Sequence, residues 1–427
     1  MTKVFIQTSG CAHNFADSEQ MAGLLKQAHF EIVSNIEDAF VVIFNTCTVK
    51  GPTESAFFRR LAHFKQHYPN KIAVIAGCIA QCDPQKLEGY PLVGTNQIHK
   101  VVEVVEEALH DNFVQMLECG EMPPLNLPRV RKNIYVSIIP ISRGCLGACA
   151  FCKTKSARGN LVSYPLADIR KEAELAVKEG VKEIWLTSQD TGCYGFDIGT
   201  NLAELLNCLV SILGNFRIRV GMMNPNHILK FKAELFEAFK HPKIYKFMHL
   251  PLQSGNDELL KKMRRSYTAE EYKTLVEEIK MLFPEMTIAT DLIIGYPGET
   301  EEQYLDTQKL FRTLMPDVIN LSRFWPRPGT PAAKLTPLPG ETMKHRSRVM
   351  TDIYHNISRM QNERWRGWEG EILINEKGTE LGQWIGRNDS FKPVIVEGDY
   401  KLGQRLKVKI EKTTIFDLRG IVVGEVV

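Results

Sequence analysis

Three cysteines stand close together in the segment Arg143-Gly-Cys145-Leu-Gly-Ala-Cys149-Ala-Phe-Cys152, which carries the strongest chemical signal of the sequence. Three thiolates at this spacing suit three irons of a [4Fe–4S] cube and leave the fourth iron open to another ligand. The alternative is a structural zinc site, which takes four ligands, and the histidines of the chain offer no matching pair. The segment therefore predicts an iron–sulfur site with one open coordination position.

Seven further cysteines stand at positions 11, 47, 78, 82, 119, 193 and 208. Cys11, Cys47 and Cys78 each follow a predicted strand, at the edge of an open α/β sheet where ligands bind. We therefore expect these three thiols to converge. Cys208 lies on an apolar predicted helix, where a free thiol is typical of a core. The remaining cysteines match no cluster motif; they are Cys82, Cys119 and Cys193.

The elements that must position these thiols begin with a unit of alternating strands and helices over the first ~110 residues. Strands are predicted at Val4–Thr8, Phe40–Asn45 and Ile72–Ala76, and helices over residues 17–27, 53–67 and 101–109. Residues 114–132 contain several prolines and lack periodicity, which predicts a linker.

A second and longer alternation follows this linker and predicts six parallel strands in an open or partial (β/α)6 barrel. The predicted strands span 135–141, 183–187, 217–222, 246–250, 287–294 and 318–324, and the predicted helices span 168–178, 202–213, 230–239, 269–282 and 301–314. From about Arg364 the pattern changes to four short strands with turn signals, which predicts a small β barrel. The predicted fold class is α/β with an all-β tail.

The composition is that of a globular protein, because 44% of the 427 residues are apolar and 24% are charged. A net charge of +3 neither establishes nor excludes a nucleic-acid partner. No stretch approaches the ~18 consecutive apolar residues of a membrane span, and the N-terminus lacks the features of a signal peptide. We therefore expect a soluble cytoplasmic protein without a membrane partner.

The cysteine motif at the head of a β/α barrel resembles the radical S-adenosylmethionine (SAM) superfamily. The resemblance implies that the open iron binds SAM and that one electron cleaves SAM to methionine and a 5′-deoxyadenosyl radical. It also implies that three polar residues at the ends of barrel strands contact SAM, namely Gln189, Asp190 and Gln253, for which a strand-end cap is the alternative. Gly295 is expected to permit a tight turn close to the adenine of SAM. Arg158 is expected to pair with the SAM carboxylate or with the substrate.

A narrower resemblance covers nearly the whole chain and points to the methylthiotransferases. It rests on motifs in all three units, among them Ser9-Gly-Cys11-Ala-His-Asn, Asn45-Thr-Cys47-Thr-Val, Ala76-Gly-Cys78, Leu186-Thr-Ser-Gln189-Asp190-Thr-Gly192, His249-Leu-Pro-Leu-Gln253-Ser-Gly255, Asp291-Leu-Ile-Ile-Gly295 and Gly386-Arg387-Asn-Asp-Ser-Phe-Lys-Pro-Val. It implies a flavodoxin-like domain over 1–113, a radical SAM core over 131–362 and a TRAM RNA-binding barrel over 363–427. It also implies a second [4Fe–4S] cluster on Cys11, Cys47 and Cys78, which carries the sulfur.

The form Ser188-Gln-Asp-Thr-Gly-Cys-Tyr-Gly195 is similar to the archaeal and eukaryotic branch that acts on threonylcarbamoyladenosine in tRNA. That resemblance implies C2-methylthiolation of this nucleoside at position 37, with tRNA, a sulfur donor and a flavodoxin- or ferredoxin-like electron donor as partners. The alternatives are an isopentenyladenosine enzyme, a ribosomal-protein enzyme and a non-catalytic zinc-containing RNA-binding protein. A substrate carboxylate calls for a cation, and the candidates near the barrel rim are Arg143, Arg158, Arg323 and Arg327.

Two basic stretches have open roles. In the tail, cations alternate with aromatic residues at Arg364-Trp-Arg-Gly-Trp and at Arg387 with Phe391-Lys392. This pattern is typical of surfaces that bind RNA. The alternative interpretation is that the tryptophans belong to the core of the barrel. The stretch 261–265 is either a solvated helix end or a phosphate contact.

Overall fold

The computed structural model describes residues 1–49, 51–118, 120 and 122–425. Cys119 lies outside the described residues. None of the helices in these ranges is both long and apolar enough to cross a bilayer.

The first unit is a parallel sheet of six strands in the order β2-β1-β3-β4-β5-β6. Its elements are β1 (Lys3–Thr8), α1 (Ala12–Gln27), β2 (Glu31–Ile32), β3 (Val41–Thr46), α2 (Gly51–His67), β4 (Ile72–Gly77), α3 (Cys78–Cys82), β5 (Leu92–Val93), α4 (Val101–Leu109) and β6 (Gln115–Met116). The first five strands follow the flavodoxin-like order, which confirms the predicted fold of this unit. The linker prediction is wrong for Gln115 and Met116, because these residues pair with β5.

The second unit contains six parallel strands in two sheets, β11-β10-β7 and β12-β13-β14. Bridges between Ile218 and Ile244 and between Met222 and His249 join the sheets into one partial barrel, as predicted. Its elements are β7 (Val136–Pro140), β8 (Ser142–Arg143), α5 (Thr154–Arg158), β9 (Val162–Ser163), α6 (Leu166–Lys178), β10 (Glu183–Thr187), α7 (Leu202–Val210), β11 (Arg217–Val220), α8 (Pro225–Ile228), α9 (Lys232–Phe239), β12 (Phe247–His249), α10 (Asp257–Lys262), α11 (Ala269–Leu282), β13 (Thr287–Ile294), α12 (Glu301–Leu314), β14 (Val318–Arg323) and α13 (Gly340–Glu363).

The third unit is a closed five-stranded barrel in the order β15-β16-β17-β19-β18. Its strands are β15 (Glu369–Lys377), β16 (Gln383–Arg387), β17 (Pro393–Glu397), β18 (Arg405–Thr413) and β19 (Leu418–Glu425). The sequence predicts four of these strands and misses β16. Trp365 lies in the barrel core with Ile372 and Leu406, so the core alternative holds for this tryptophan.

The small barrel packs against the N-terminal ends of the β/α-barrel strands. Phe391 extends from the β16–β17 turn and contacts the rings of Tyr245 and Phe247, with centroids 4.9 and 5.4 Å away. Lys392 is buried and pairs with Asp317 at 2.8 Å. The interpretation of Phe391 and Lys392 as RNA contacts is therefore wrong, because both residues join the two barrels.

The first unit covers the edge strand of the partial barrel. Ala16 of α1 is fully buried against Val136 and Ile138 of β7, and Phe15 and Trp185 pack around this cluster. The carboxyl ends of the first sheet thereby lie beside the loop that follows β8, which carries Cys145. Both cysteine sets are thus placed at one interface between the two α/β units.

Candidate functional site

Three thiols of the first unit converge at the carboxyl ends of its strands. Cys11 caps the N-terminus of α1, Cys47 follows β3, and Cys78 is the first residue of α3. The Sγ atoms of Cys11 and Cys78 lie 3.6 and 4.0 Å from the same atom, Oδ1 of Asn14. A Cβ atom added at Gly10 would lie 2.6 Å from the Cβ of Cys47, so glycine is required for this approach. The strand-end positions predict this convergence.

The cysteines of this triad differ in their exposure to solvent. Cys47 and Cys78 are buried and Cys11 is exposed. Burial raises the pKa of the Cys47 thiol to about 12 and also raises the pKa of Cys78. Three sulfur donors facing one another beside a buried cation are a donor set suited to a metal cluster, which binds thiolates.

Arg158 lies next to this triad rather than free at the barrel rim. Its Nη2 donates to Oδ2 of Asp17 at 2.8 Å and to Oδ1 of Asn14 at 3.0 Å. Its Nη1 is buried without a hydrogen-bond partner in the part of the chain that the structure describes. Arg158 already has a carboxylate partner, Asp17 of the first unit. These contacts therefore do not support the expected pairing of Arg158 with the SAM carboxylate.

Asp17 also binds the second arginine of this interface. The Nη2 of Arg143 donates to Oδ1 of Asp17 at 2.8 Å, its Nη1 donates to the carbonyl of Thr95, and its Nε donates to the hydroxyl of Tyr164. All three charged side chains are about 1% exposed. Burial alone would raise the pKa of Asp17, but the Arg143 and Arg158 guanidinium groups hold it well below its usual range. One carboxylate thus joins two arginines of the β/α barrel to the first unit.

We predict that Asp17→Asn lowers the free energy of unfolding by about 3 kcal/mol or more, because two buried arginines lose their counter-ion. A depressed pKa contributes stability above the unfolded value, so the difference from wild type should be complete above about pH 5 and shrink below about pH 4. Urea unfolding across this pH range measures both effects. The exposed Asp38 provides the control, and Asp38→Asn should change the midpoint little. Equal midpoints for wild type and Asp17→Asn at pH 7 would contradict the prediction.

The motif with Cys145, Cys149 and Cys152 forms a half-buried loop after β8. The backbone N–H of Gly147 donates to Sγ of Cys145 at 3.2 Å. The N–H of Ala150 donates to the carbonyl of Met263, which fixes the loop against the barrel. This loop presents sulfur donors at the carboxyl ends of the strands, where β/α barrels hold their active sites.

Arg265 also belongs to this site, although its sequence is compatible with either of two roles on the surface. Its Nη1 donates to Sγ of Cys149 at 3.2 Å, and its Nη2 donates to Oδ1 of Asn224 and to the carbonyl of Pro251. The guanidinium also stacks 5.0 Å from the ring centre of Tyr267. Arg265 is thus neither a solvated helix end nor a phosphate contact; it places a positive charge beside the loop that carries Cys149. Its position, 116 residues from Cys149, gives no local sequence signal.

Gln189 and Asp190 are occupied by protein partners. Gln189 accepts from the N–H of Gly144 at 2.8 Å and contacts Nδ1 of His13 at 3.1 Å. Asp190 accepts from the N–H groups of Gly192 and Asn224 and contacts Nδ1 of His227 at 2.8 Å. For Asp190 the contacts are those of the alternative, a strand-end cap, whereas Gln189 connects the cysteine loop to α1.

Cys193 lies beside Cys145. The Sγ atoms of these two cysteines and a carboxylate oxygen of Asp190 lie within 4.8 Å of one another. Among the residues described, no fourth ligand joins this group, so it falls short of a structural zinc site. Cys208 is half-buried on α7, with its Sγ 3.5 Å from Nη1 of Arg170, so it is less enclosed than the expected core thiol.

Gln253 has the features of a residue that faces a ligand. Its φ of +70° is in the left-handed region, which is uncommon for a residue with a side chain. Its side chain is only 8% exposed, and its Oε1 has no hydrogen-bond partner among the described residues. On the strand that precedes Gln253, Nε2 of His249 lies 2.9 Å from Oδ2 of Asp291. A buried carbonyl without a donor fits a bound hydrogen-bonding group such as that of SAM.

Gly295 also adopts a left-handed conformation, with φ +76°, and its N–H donates to Oε2 of Glu299 at 3.0 Å. A Cβ atom there would collide with the side chain of Met343 from α13. The predicted tight turn is therefore present, and the contact with α13 explains why glycine is needed.

Three parts of the chain match known families. Residues 139–311 match the Radical SAM superfamily, residues 3–93 match Uncharacterized protein family UPF0004, and residues 363–423 match the TRAM domain. These matches lie within the three predicted domains, whose boundaries stay predictions.

Curated relatives match nearly the whole chain. A probable threonylcarbamoyladenosine tRNA methylthiotransferase of Pyrococcus abyssi is 43% identical over 415 residues, covering 95% of this chain and 96% of that protein. The human threonylcarbamoyladenosine tRNA methylthiotransferase is 38% identical over 431 residues, covering 98% of this chain and 73% of that protein.

The fold is also similar to that of solved structures. The radical SAM methyltransferase TsrM from Kitasatospora setae, solved with tryptophan substrate and a SAM analogue, superposes with a TM-score of 0.56 at 17% identity. The match covers 78% of this chain and 75% of that chain. At this identity the similarity concerns the fold alone.

Proposed function

Because the chain belongs to the threonylcarbamoyladenosine tRNA methylthiotransferase family, we propose that it converts N6-threonylcarbamoyladenosine at position 37 of tRNA to its 2-methylthio derivative. The observation that carries this proposal is the packing between the two helices that lie next to its two cysteine sets. Helix α3, which begins at Cys78, packs against α5, which begins two residues after Cys152. Lys153 and Asp83 pair at 2.5 Å across this contact, and both are buried.

The radical SAM fold supports one [4Fe–4S] cluster and SAM, and the loop with Cys145, Cys149 and Cys152 has the donors to hold them. When bound, the pair supplies one-electron cleavage of SAM. That chemistry is needed because the adenine C2–H bond is not acidic enough for a side-chain base to remove its proton. The role proposed for the chain's own groups is to bind and orient: Gln253 offers its unpaired Oε1, and Arg265 offsets negative charge at Cys149.

Cys11, Cys47 and Cys78 are proposed to hold a second [4Fe–4S] cluster, which would carry the sulfur for transfer. The convergence of the thiols and the unpaired Nη1 of Arg158 beside them support this proposal. Sulfur must come from a donor, and electrons must come from a flavodoxin- or ferredoxin-like protein. Membership in an enzyme family decides against the alternative of a non-catalytic zinc protein.

Binding of tRNA is proposed to involve the exposed face of β18 in the TRAM barrel. Along this strand Leu406, Val408 and Ile410 point into the core. Lys407 and Lys409 alternate with them and are exposed. Lys409 pairs with Glu369 at 2.8 Å, so Lys407 is the cation of this face that is proposed to contact the phosphate backbone of RNA.

The test is an anaerobic assay with the reconstituted full-length chain, SAM, a reductant, a sulfide source and three tRNAs. These carry threonylcarbamoyladenosine, isopentenyladenosine or unmodified adenosine at position 37. We expect the 2-methylthio product, measured by mass spectrometry, only or mainly with the first tRNA, at a rate at least ~10-fold above the others, because a pocket for a carboxylate discriminates strongly against its absence. Equal turnover of the isopentenyl substrate would contradict the proposed substrate, and the absence of product with all three tRNAs would contradict the tRNA proposal.

A further inference from the structure

A cation without a counter-ion lies inside the partial barrel. Arg219 is on β11 and is paired in register with Trp185 of β10, which in turn is paired with Ile138 of β7. The flanking residues Ile218 and Val220 are fully buried in the core between strands and helices. Because side chains alternate along a strand, Arg219 faces the opposite side, which is the interior of the barrel.

Aromatic rings surround this guanidinium. Its Cζ lies 5.4 Å from the ring centre of Trp185, 5.0 Å from that of Phe247 and 5.1 Å from that of Phe391. Phe391 comes from the TRAM barrel and closes the interior at the N-terminal ends of the strands. Cation–π contacts hold the group in place but do not neutralise its charge.

Three fully buried arginines of the same region have carboxylate partners, whereas Arg219 is half-buried. Arg143 and Arg158 share Asp17, and Arg327 binds Glu54 at 2.8 Å. Within the described ranges, Arg219 makes neither a hydrogen bond nor an ion pair, and its Nε is buried. Burial lowers the pKa of Arg219 to about 10, so it remains a cation at neutral pH. Only the Nε is buried without a partner, so the Nη atoms of this partly desolvated cation remain able to bind an anion.

The charged groups near Arg219 do not provide that anion. Glu183, at the start of β10, already binds the hydroxyl of Tyr245 at 2.5 Å and the amide of Asn375 at 3.2 Å. Arg387 stacks on the ring of Phe391 and adds positive charge. Among the described residues no carboxylate pairs with Arg219, which leaves its guanidinium free to bind a carboxylate from outside the chain.

We propose that Arg219 binds the carboxylate of the threonylcarbamoyl group and so determines the substrate specificity of the barrel. This inference rests on the proposed function, since it requires the modified adenine to enter the barrel interior. A planar guanidinium pairs with a carboxylate through two parallel hydrogen bonds, and the aromatic walls also suit the apolar parts of the substrate. Of the four rim arginines, Arg143, Arg158 and Arg327 are already paired. Arg323 is exposed and lies on the same face of β14 as Ile319 and Leu321. That face packs toward the helices, so Arg323 does not face the barrel interior.

The test compares anticodon stem–loops that carry threonylcarbamoyladenosine or its carboxamide analogue, in which the charge is removed but the shape is kept. Wild type should prefer the carboxylate by on the order of 10- to 100-fold in kcat/KM, the range of a charge-assisted hydrogen-bond pair. Arg219→Gln should lose this preference, and Arg219→Lys should retain part of it. SAM cleavage without RNA should persist in both variants. Arg323→Gln, the matched control, should keep the wild-type preference.

Retention of the full preference by Arg219→Gln, or its loss in Arg323→Gln, would overturn the inference. An equal drop on both substrates would also overturn it, because it would assign Arg219 to packing between the two barrels. If wild type methylthiolated neither RNA, the proposed function itself would fail, which separates the two outcomes.

Discussion

Alanine at Cys149 should abolish cleavage of SAM by the anaerobically reconstituted enzyme, and alanine at Cys145 or Cys152 should do the same. Each substitution removes one of only three sulfur donors of the loop, so the iron held there lacks a complete set of protein ligands. The readouts are 5′-deoxyadenosine formation, expected at the background level, and iron content, expected to fall by up to about four atoms per chain.

Cys208→Ala provides the control for these variants, because Cys208 is also half-buried but lies on α7 and is proposed to take no part in a cluster. It should retain the iron content and SAM cleavage of wild type. Normal SAM cleavage by Cys149→Ala would show that the loop does not carry the reactive group, whatever the fate of the methylthio product.

The architecture could be predicted where local pattern and tertiary structure agree. Strand β3 begins with four consecutive apolar residues, and Thr268 and Glu271 form the capping box that begins α11. The convergence of the first-unit thiols follows from the rule that parallel strands end at one edge. Helix α13 was not predicted, although some of its apolar residues recur at helical spacing. Its buried Met350, Ile353 and Ile357 recur at helical spacing, but polar and basic residues dominate the segment between them.

The sequence predicts the cysteines of the site, Gln253 and the turn at Gly295, but not the ion pairs that hold them in place. Asp17 and Arg143 form an ion pair although they are 126 residues apart in the sequence, and no periodicity in the sequence predicts such a pair. Cations beside aromatic residues are typical of RNA-binding surfaces, yet Phe391 lies where the two barrels meet, because composition does not specify which face of a strand or turn is solvent-exposed. Arg219 has the same ambiguity. Its neighbours on β11 identify its side of the sheet only when the register with β10 is known.

Alanine at Cys11, Cys47 or Cys78 should separate the two halves of the reaction. The loop with Cys149 lies in the other α/β unit and keeps all of its own donors, so SAM cleavage should remain within about a factor of 3 of wild type. The methylthio product should be absent, because the proposed sulfur carrier is lost, while iron should fall by about four atoms per chain. Iron content thus reports on the site independently of activity.

Cys82→Ser is the matched control for this separation, since Cys82 ends the same helix, α3, that begins at Cys78. Its Sγ contacts the carbonyl of Lys153 at 3.9 Å rather than Asn14, and serine preserves a donor at that position. This variant should keep both iron and product. Full iron content together with full methylthiolation in Cys47→Ala would refute the second cluster. Loss of SAM cleavage in all three variants would instead indicate that the buried Asp17 network makes the two sites interdependent, because Arg158 contacts Asn14 and Asp17 on one side and belongs to the cysteine-loop unit on the other.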